Sequence, residues 1–233
     1  MANLNSELQK IYKPYYEELK KRAEELPDET SCPLLMHVFD VYEQSKVKIL
    51  IVGKETNSWE NLKTSLRLED IIEKYQEFEL GHGYISKNGK KRTLCSPFWN
   101  FSRKFYTKSN NVSERKKKGF LWTNISKFDT GHGSRTPENI HRFKEGFELL
   151  RVEVKIIKPD VVLFFTGNDY NINIENDLNL SFEIVDSKLN IIQLKDPLNI
   201  FPKNTYKIYH PNFLYRNKNI SHEEVSNKIL SLL

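Results

Sequence analysis

Three apolar runs in this chain each stop at a polar segment, and this repeated pattern restricts the fold more than any other feature. Val47–Val52 runs into Gly53-Lys54-Glu55-Thr56-Asn57-Ser58-Trp59, Phe120–Thr123 into Asn124, and Tyr206–Tyr209 into His210-Pro211-Asn212-Phe213-Leu214. A fourth run, Val161-Val162-Leu163-Phe164-Phe165, is apolar throughout, as in a strand covered on both faces. Helical patterns lie between these runs. Leu8, Ile11, Tyr12, Tyr15, Tyr16 and Leu19 recur at three- and four-residue spacing, which predicts a helix over 6–26 stopped by Pro27. Residues 66–79 read as a second helix. A third starts at Thr136-Pro137-Glu138, with Pro at its first position, and runs to about Ile157. Ser221-His222-Glu223-Glu224 is a capping box that opens the last helix.

Alternating helices and strands predict an α/β fold with a mostly parallel sheet. Phe182–Val185 and Ile191–Leu194 read as strands of a smaller, antiparallel element. Residues 81–118 are polar and read as an inserted loop region, with a hairpin turn at Lys87-Asn88-Gly89-Lys90. The 233 residues fit a single domain over 1–233. No apolar run approaches the ~20 residues of a membrane span. The opening residues, Met1 to Glu7, lack a basic segment followed by an apolar one, so no signal peptide is expected. The two cysteines, Cys32 and Cys95, cannot supply a disulfide framework or a four-thiolate site. Gly81-His82-Gly83 and Gly131-His132-Gly133 have no companion ligands at zinc spacing. We therefore expect no metal, no cofactor, reduced thiols and a cytoplasmic monomer.

In an open α/β sheet, ligands bind at the carboxyl ends of the strands. The pattern above delivers a carboxylate, Glu55, a carboxamide, Asn124, and an imidazole, His210, to that edge. Taken singly, Glu55 reads as a solvated or capping glutamate, Asn124 as a turn residue and His210 as a loop histidine. Their shared strand-end placement makes the joint case. Hydrolysis of an N-glycosidic bond needs these groups: an anion near the cationic sugar, a donor near the departing base, and an amide that reads a base edge. It also needs an aromatic ring to stack on the base, for which Trp59, Phe98 and Trp99 are candidates. The net charge of +5 suits a polyanionic partner. The basic segment 103–118 holds Arg103, Lys104, Lys108, Arg115, Lys116, Lys117 and Lys118 against Glu114 alone, as phosphate contacts require.

Four of these segments resemble the uracil-DNA glycosylase superfamily, in that family's order. Val47–Trp59 resembles its first motif, an apolar strand followed by Gly-x-Asp/Asn-Pro. Phe120–Asn124 resembles the strand that ends in the base-reading Asn, and Lys158–Asn168 the next core strand and its Gly turn. Tyr209–Arg216 resembles the second motif, His-Pro-Ser followed by an apolar wedge residue and Tyr-Arg. The resemblance implies a three-layer sandwich around a four-stranded, mostly parallel sheet. It also implies a monofunctional DNA glycosylase that flips a base, of the kind used in DNA repair. Glu55 falls at the water-handling position, His210 at the catalytic histidine, Asn124 at the base-edge reader and Leu214 at the wedge that probes the duplex. Gly53, Asn57, Phe98 and Asn212 fall in the substrate pocket, with Phe98 as the stacking ring. Arg216, Lys116, Lys117 and Lys118 fall on the nucleic-acid side. Thr56 replaces the motif's Pro and Asn212 its Ser. Asn57 stands where uracil-specific members carry a tyrosine that excludes a 5-methyl group, so the expected base is uracil-like or modified. The alternative is a non-catalytic nucleic-acid-binding or interaction protein on the same fold. A small-molecule or nucleotide hydrolase using the same cleft is a third reading.

Overall fold

The computed structural model describes residues 3–56, 59–63, 65–86, 88–113, 118–130, 145–217 and 219–233. Its strands are β1 (Ile49–Gly53), β2 (Tyr84–Ile85), β3 (Lys91–Arg92), β4 (Leu121–Asn124), β5 (Val161–Phe164), β6 (Ser181–Asp186), β7 (Ile191–Lys195) and β8 (Asn204–Lys207). Its helices are α1 (Leu4–Lys21), α2 (Asp40–Glu43), α3 (Leu68–Phe78), α4 (Pro97–Asn110), α5 (Glu145–Ile157), α6 (Asn171–Asn176), α7 (Pro211–Arg216) and α8 (His222–Leu230).

The central sheet has six strands in the order β4-β1-β5-β8-β7-β6. The first four are mutually parallel, and β7 and β6 continue the sheet antiparallel beyond β8. The expected α/β class with a mostly parallel sheet therefore holds, but the sheet is larger than four strands. Phe182–Val185 and Ile191–Leu194 do not form a separate element, because Ile192 and Gln193 of β7 pair with Lys207 and Tyr206 of β8. Every residue of β1 and β5 is buried, as their unbroken apolar sequences require. Consecutive residues of β4 meet opposite layers. The Trp122 ring packs on Phe98 and Trp99 of α4, whereas the Thr123 hydroxyl bonds to Glu153 of α5. Helices thus flank the sheet on both faces, with α1 packed on α5 and α4 packed on α7 and α8.

The largest correction concerns 81–118, whose described residues include a hairpin and a long buried helix and not only loop. A two-stranded hairpin, β2–β3, is closed by Ser86 donating to the Lys90 carbonyl at 2.9 Å, as its turn residues predict. It is followed by α4, which buries Phe98, Trp99, Phe101, Phe105 and Tyr106. The first helix ends at Lys21 rather than near Pro27, a 3₁₀ turn covers Ala23–Glu25, and Pro14 is accommodated inside the helix. The start expected for the third helix, Thr136-Pro137-Glu138, lies outside the described residues. The last helix carries its capping box, with Ser221 Oγ accepting from the Glu224 N–H at 3.0 Å.

Candidate functional site

Chain order reverses across β1. The chain passes from β1 to β4 on one side and from β4 to β5 on the other. A crevice outside the carboxyl ends is the usual consequence of such a switch. The residues at this edge are tied closely together. Gly53 ends β1 opposite Asn124, so the two project from the same face of the sheet. The Asn124 amide lies directly over Gly53. Its Oδ1 accepts from Trp122 Nε1 at 3.1 Å, and a Cβ built on Gly53 would stand 2.4 Å from that Oδ1. Glycine is therefore required here by close approach. Gly53→Ala is expected to displace the amide and cost about 1–3 kcal/mol by overpacking. Chemical denaturation would read the loss, and an unchanged midpoint would show that Asn124 is free to move.

Asn124 is 1% exposed, and its Nδ2 has no acceptor among the described residues. A buried donor without a partner costs about 1–3 kcal/mol, so its presence needs a reason.

Glu55 follows two residues beyond Gly53 and is half-buried. Tyr170, itself fully buried on the segment after β5, donates its hydroxyl to Glu55 Oε2 at 2.7 Å. Burial pushes the Glu55 carboxyl above the usual range, while the Tyr170 hydrogen bond and the Lys54 ammonium pull it back. Lys54 in turn pairs with Asp169, which fastens the segment after β1 to the segment after β5. Thr56 is buried, and its hydroxyl donates to the Asp129 carboxylate and shares a 2.8 Å hydrogen bond with Ser31 Oγ. A proline at this position would have no hydroxyl for that network. The departure from the family's motif is thus matched by a local structural role.

His210 caps α7. Its Nδ1 accepts from the Asn212 N–H at 3.2 Å, which assigns the ring proton to Nε2 in the neutral form. Burial, reinforced by Lys54 and Arg216, lowers its pKa to about 4. The imidazole is therefore neutral near pH 7, with Nε2–H as its donor. Its ring stacks on Phe98 with centroids 5.8 Å apart and planes 27° apart. Phe98 also packs edge-on against Trp122 and Phe165. Phe98 thus bridges His210 to the Trp122 indole that holds Asn124.

Other expected residues sit differently. Leu214 is 2% exposed and faces the core, because four residues after His210 is one turn along α7 on its inner side. A wedge must be exposed, and the exposed apolar side chains of α7 are Phe213 and Tyr215, at 43% and 74%. Asn212 and Arg216 are exposed, with Arg216 Nε donating to the Asn212 carbonyl at 3.2 Å. Of the four described basic residues of this segment, Arg103, Lys104, Lys108 and Lys118, all but Lys104 are engaged within the protein. Arg103 is buried and donates to the carbonyls of Leu94 and Leu80, Lys108 pairs with Glu223, and Lys118 pairs with Glu79. Asn57, Lys116 and Lys117 lie outside the described residues. No cluster of metal-ligating side chains occurs among the described residues. The residue that sequence reasoning missed is Tyr170, since nothing local marks a tyrosine 115 positions from Glu55 as its partner. No family model matches the chain, and no curated protein matches it.

Proposed function

We propose that the chain is an N-glycosidic hydrolase that takes a uracil-like or modified base of nucleic acid at the carboxyl edge of the parallel strands. The observation that carries this reading is the unmet Nδ2–H donor of Asn124, buried at the same sheet edge as a neutral His210 and a partly buried Glu55. An amide-bearing base supplies the acceptor that Asn124 lacks. His210 Nε2–H donates to the base oxygen that gains charge as the glycosidic bond breaks. The Glu55 carboxylate, held by Tyr170, faces the sugar as it becomes cationic and orients the attacking water. Neutral histidine suits this role because its proton need not leave for the hydrogen bond to strengthen. The resemblance adds support, since Glu55 follows β1, Asn124 ends β4 and His210 follows β8, in the order of the family's segments.

The test is a glycosylase assay on oligonucleotides carrying natural, deaminated and modified bases, with alkali to reveal abasic sites. The pH profile gives an independent check. The rate is expected to rise with pH through one acid limb, because Glu55 must be ionised. That limb lies above the ordinary carboxylate value, since burial raises the Glu55 pKa. No limb is expected near 6.5, since His210 titrates only at about 4. Tyr170→Phe removes a hydrogen bond that favours the charged carboxylate, so it should move the acid limb upward. A limb unmoved in Tyr170→Phe would remove Glu55 from the mechanism.

A second reading is favoured by a specific observation. Asn124 is nearly inaccessible. A protein that binds nucleic acid without placing a base against Asn124, and so without cleaving it, fits that fact. Binding without cleavage across the whole panel would select it.

A further inference from the structure

The helix that carries Phe98 and the helix that His210 caps also line a groove, together with α8. Its lining includes Asn100, Phe101 and Lys104 from α4, Tyr215 from α7, and His222 and Ser226 from α8. Its volume is about 800 Å³, within the range of sites that hold organic ligands. Three features point to an occupant. Ser226 lines the groove at 5% exposure, and its Oγ has no partner among the described residues. Tyr215 is 74% exposed at the rim and offers a ring with no packing role in the core. The Lys108 charge is matched by Glu223, whereas the exposed Lys104 ammonium has no acidic partner among the described residues.

A concave wall with a free ring, an unmatched cation and a buried hydroxyl complements a nucleotide: base on tyrosine, phosphate on lysine, sugar or base edge on serine. We infer that this groove holds the single strand of nucleic acid that flanks the base bound at the strand edge, so that the substrate strand runs between α4 and α7–α8. Phe98 lies in the first turn of α4 stacked on His210, and Tyr215 lies five residues beyond His210 on α7, so the groove is lined by the same two helices that border the site. The inference rests on the base-site reading for what lies at the groove's inner end. The groove also accounts for the exposed Tyr215 where the expected wedge, Leu214, is buried.

Anisotropy with a fluorescein-labelled twelve-residue oligothymidylate tests it, on the full chain. Tyr215→Ala is expected to weaken binding about tenfold or more, in line with the loss of one stacked base. Lys104→Glu should weaken it and flatten the salt dependence by about one unit of slope. Both side chains are exposed, so melting temperatures should match the parent. The parent should prefer this strand to the same strand paired with its complement, and unlabelled thymidine monophosphate should compete far more weakly than unlabelled oligonucleotide. Parent-like binding by both variants, equal competition by the mononucleotide, or preference for the duplex would each overturn the groove assignment. None of these outcomes bears on base excision. Conversely, strand binding that depends on Tyr215 and Lys104, with no cleavage of any base, would leave the groove standing and remove the hydrolase.

Discussion

Glu55→Gln and His210→Ala are each expected to slow single-turnover base excision by about 10²–10³, or roughly 2.7–4 kcal/mol of barrier. The two losses arise differently. Glu55→Gln keeps the side chain's shape and an acceptor for the Tyr170 hydroxyl, which donates to Oε2 at 2.7 Å. It removes only the charge that would face a cationic sugar. His210→Ala removes the Nε2–H donor and also the Nδ1 acceptor for the Asn212 N–H at the start of α7. Some loosening of that six-residue helix should therefore accompany the rate loss. His210→Gln is the better companion, because it retains a donor and should recover part of the rate. Binding to an abasic product should survive in all three variants, since the groove residues Tyr215 and Lys104 are untouched. The measurement is a burst of abasic sites with enzyme in excess. If Glu55→Gln and His210→Ala both cleave as fast as the parent, the polar edge is not catalytic and the carry-over from the family's motifs fails.

The parts of the molecule that were legible in the sequence share a physical reason. Strands β1 and β5 are buried on both faces, so each had to be apolar without interruption, and that is a strong local signal. The polar residues at strand ends were legible because a parallel sheet delivers all its carboxyl ends to one edge. What failed was the inference from charge to solvent. Helix α4 contains Arg103, Lys104 and Lys108 and reads as a basic loop, yet Phe98, Phe101 and Phe105 recur on its buried face. Arg103 was misread because its guanidinium satisfies two backbone carbonyls, those of Leu80 and Leu94, a demand set by the chain's path and not by local sequence. Leu214 failed for a geometric reason: an offset of four residues fixes a position along α7, but packing decides which face looks inward. Tyr170 was invisible because a long-range hydrogen bond leaves no trace in spacing.

The same long-range logic applies beneath β4, where the largest effect on stability is expected. Lys127 and Glu153 form an ion pair with both side chains at 0% exposure. Tyr12 OH donates to Glu153 Oε1 at 2.9 Å, Thr123 Oγ1 donates to Oε2 at 3.3 Å, and Lys127 Nζ donates to Thr123 Oγ1 at 2.6 Å. Burial lowers the Lys127 pKa, and the Glu153 charge opposes that shift. The cluster joins α1, β4 and α5, and Thr123 immediately precedes Asn124. Lys127→Met fills the same space but strands the Glu153 charge in a dry interior, and breaking a buried pair in this way costs about 3–5 kcal/mol. That is a large share of the ~5–15 kcal/mol that holds a typical domain folded. The double variant Lys127→Met with Glu153→Leu removes both charges, so most of the loss should return, since a well-packed apolar replacement of a buried pair is often neutral or stabilising. Urea unfolding at fixed m-value is the measurement. A single variant that loses less than about 1 kcal/mol would overturn the large contribution assigned to the pair. A double variant as unstable as the single would instead place the cost in packing. Because Thr123 belongs to this cluster, Lys127→Met should also loosen the end of β4 and weaken whatever Asn124 holds, even where the domain remains folded.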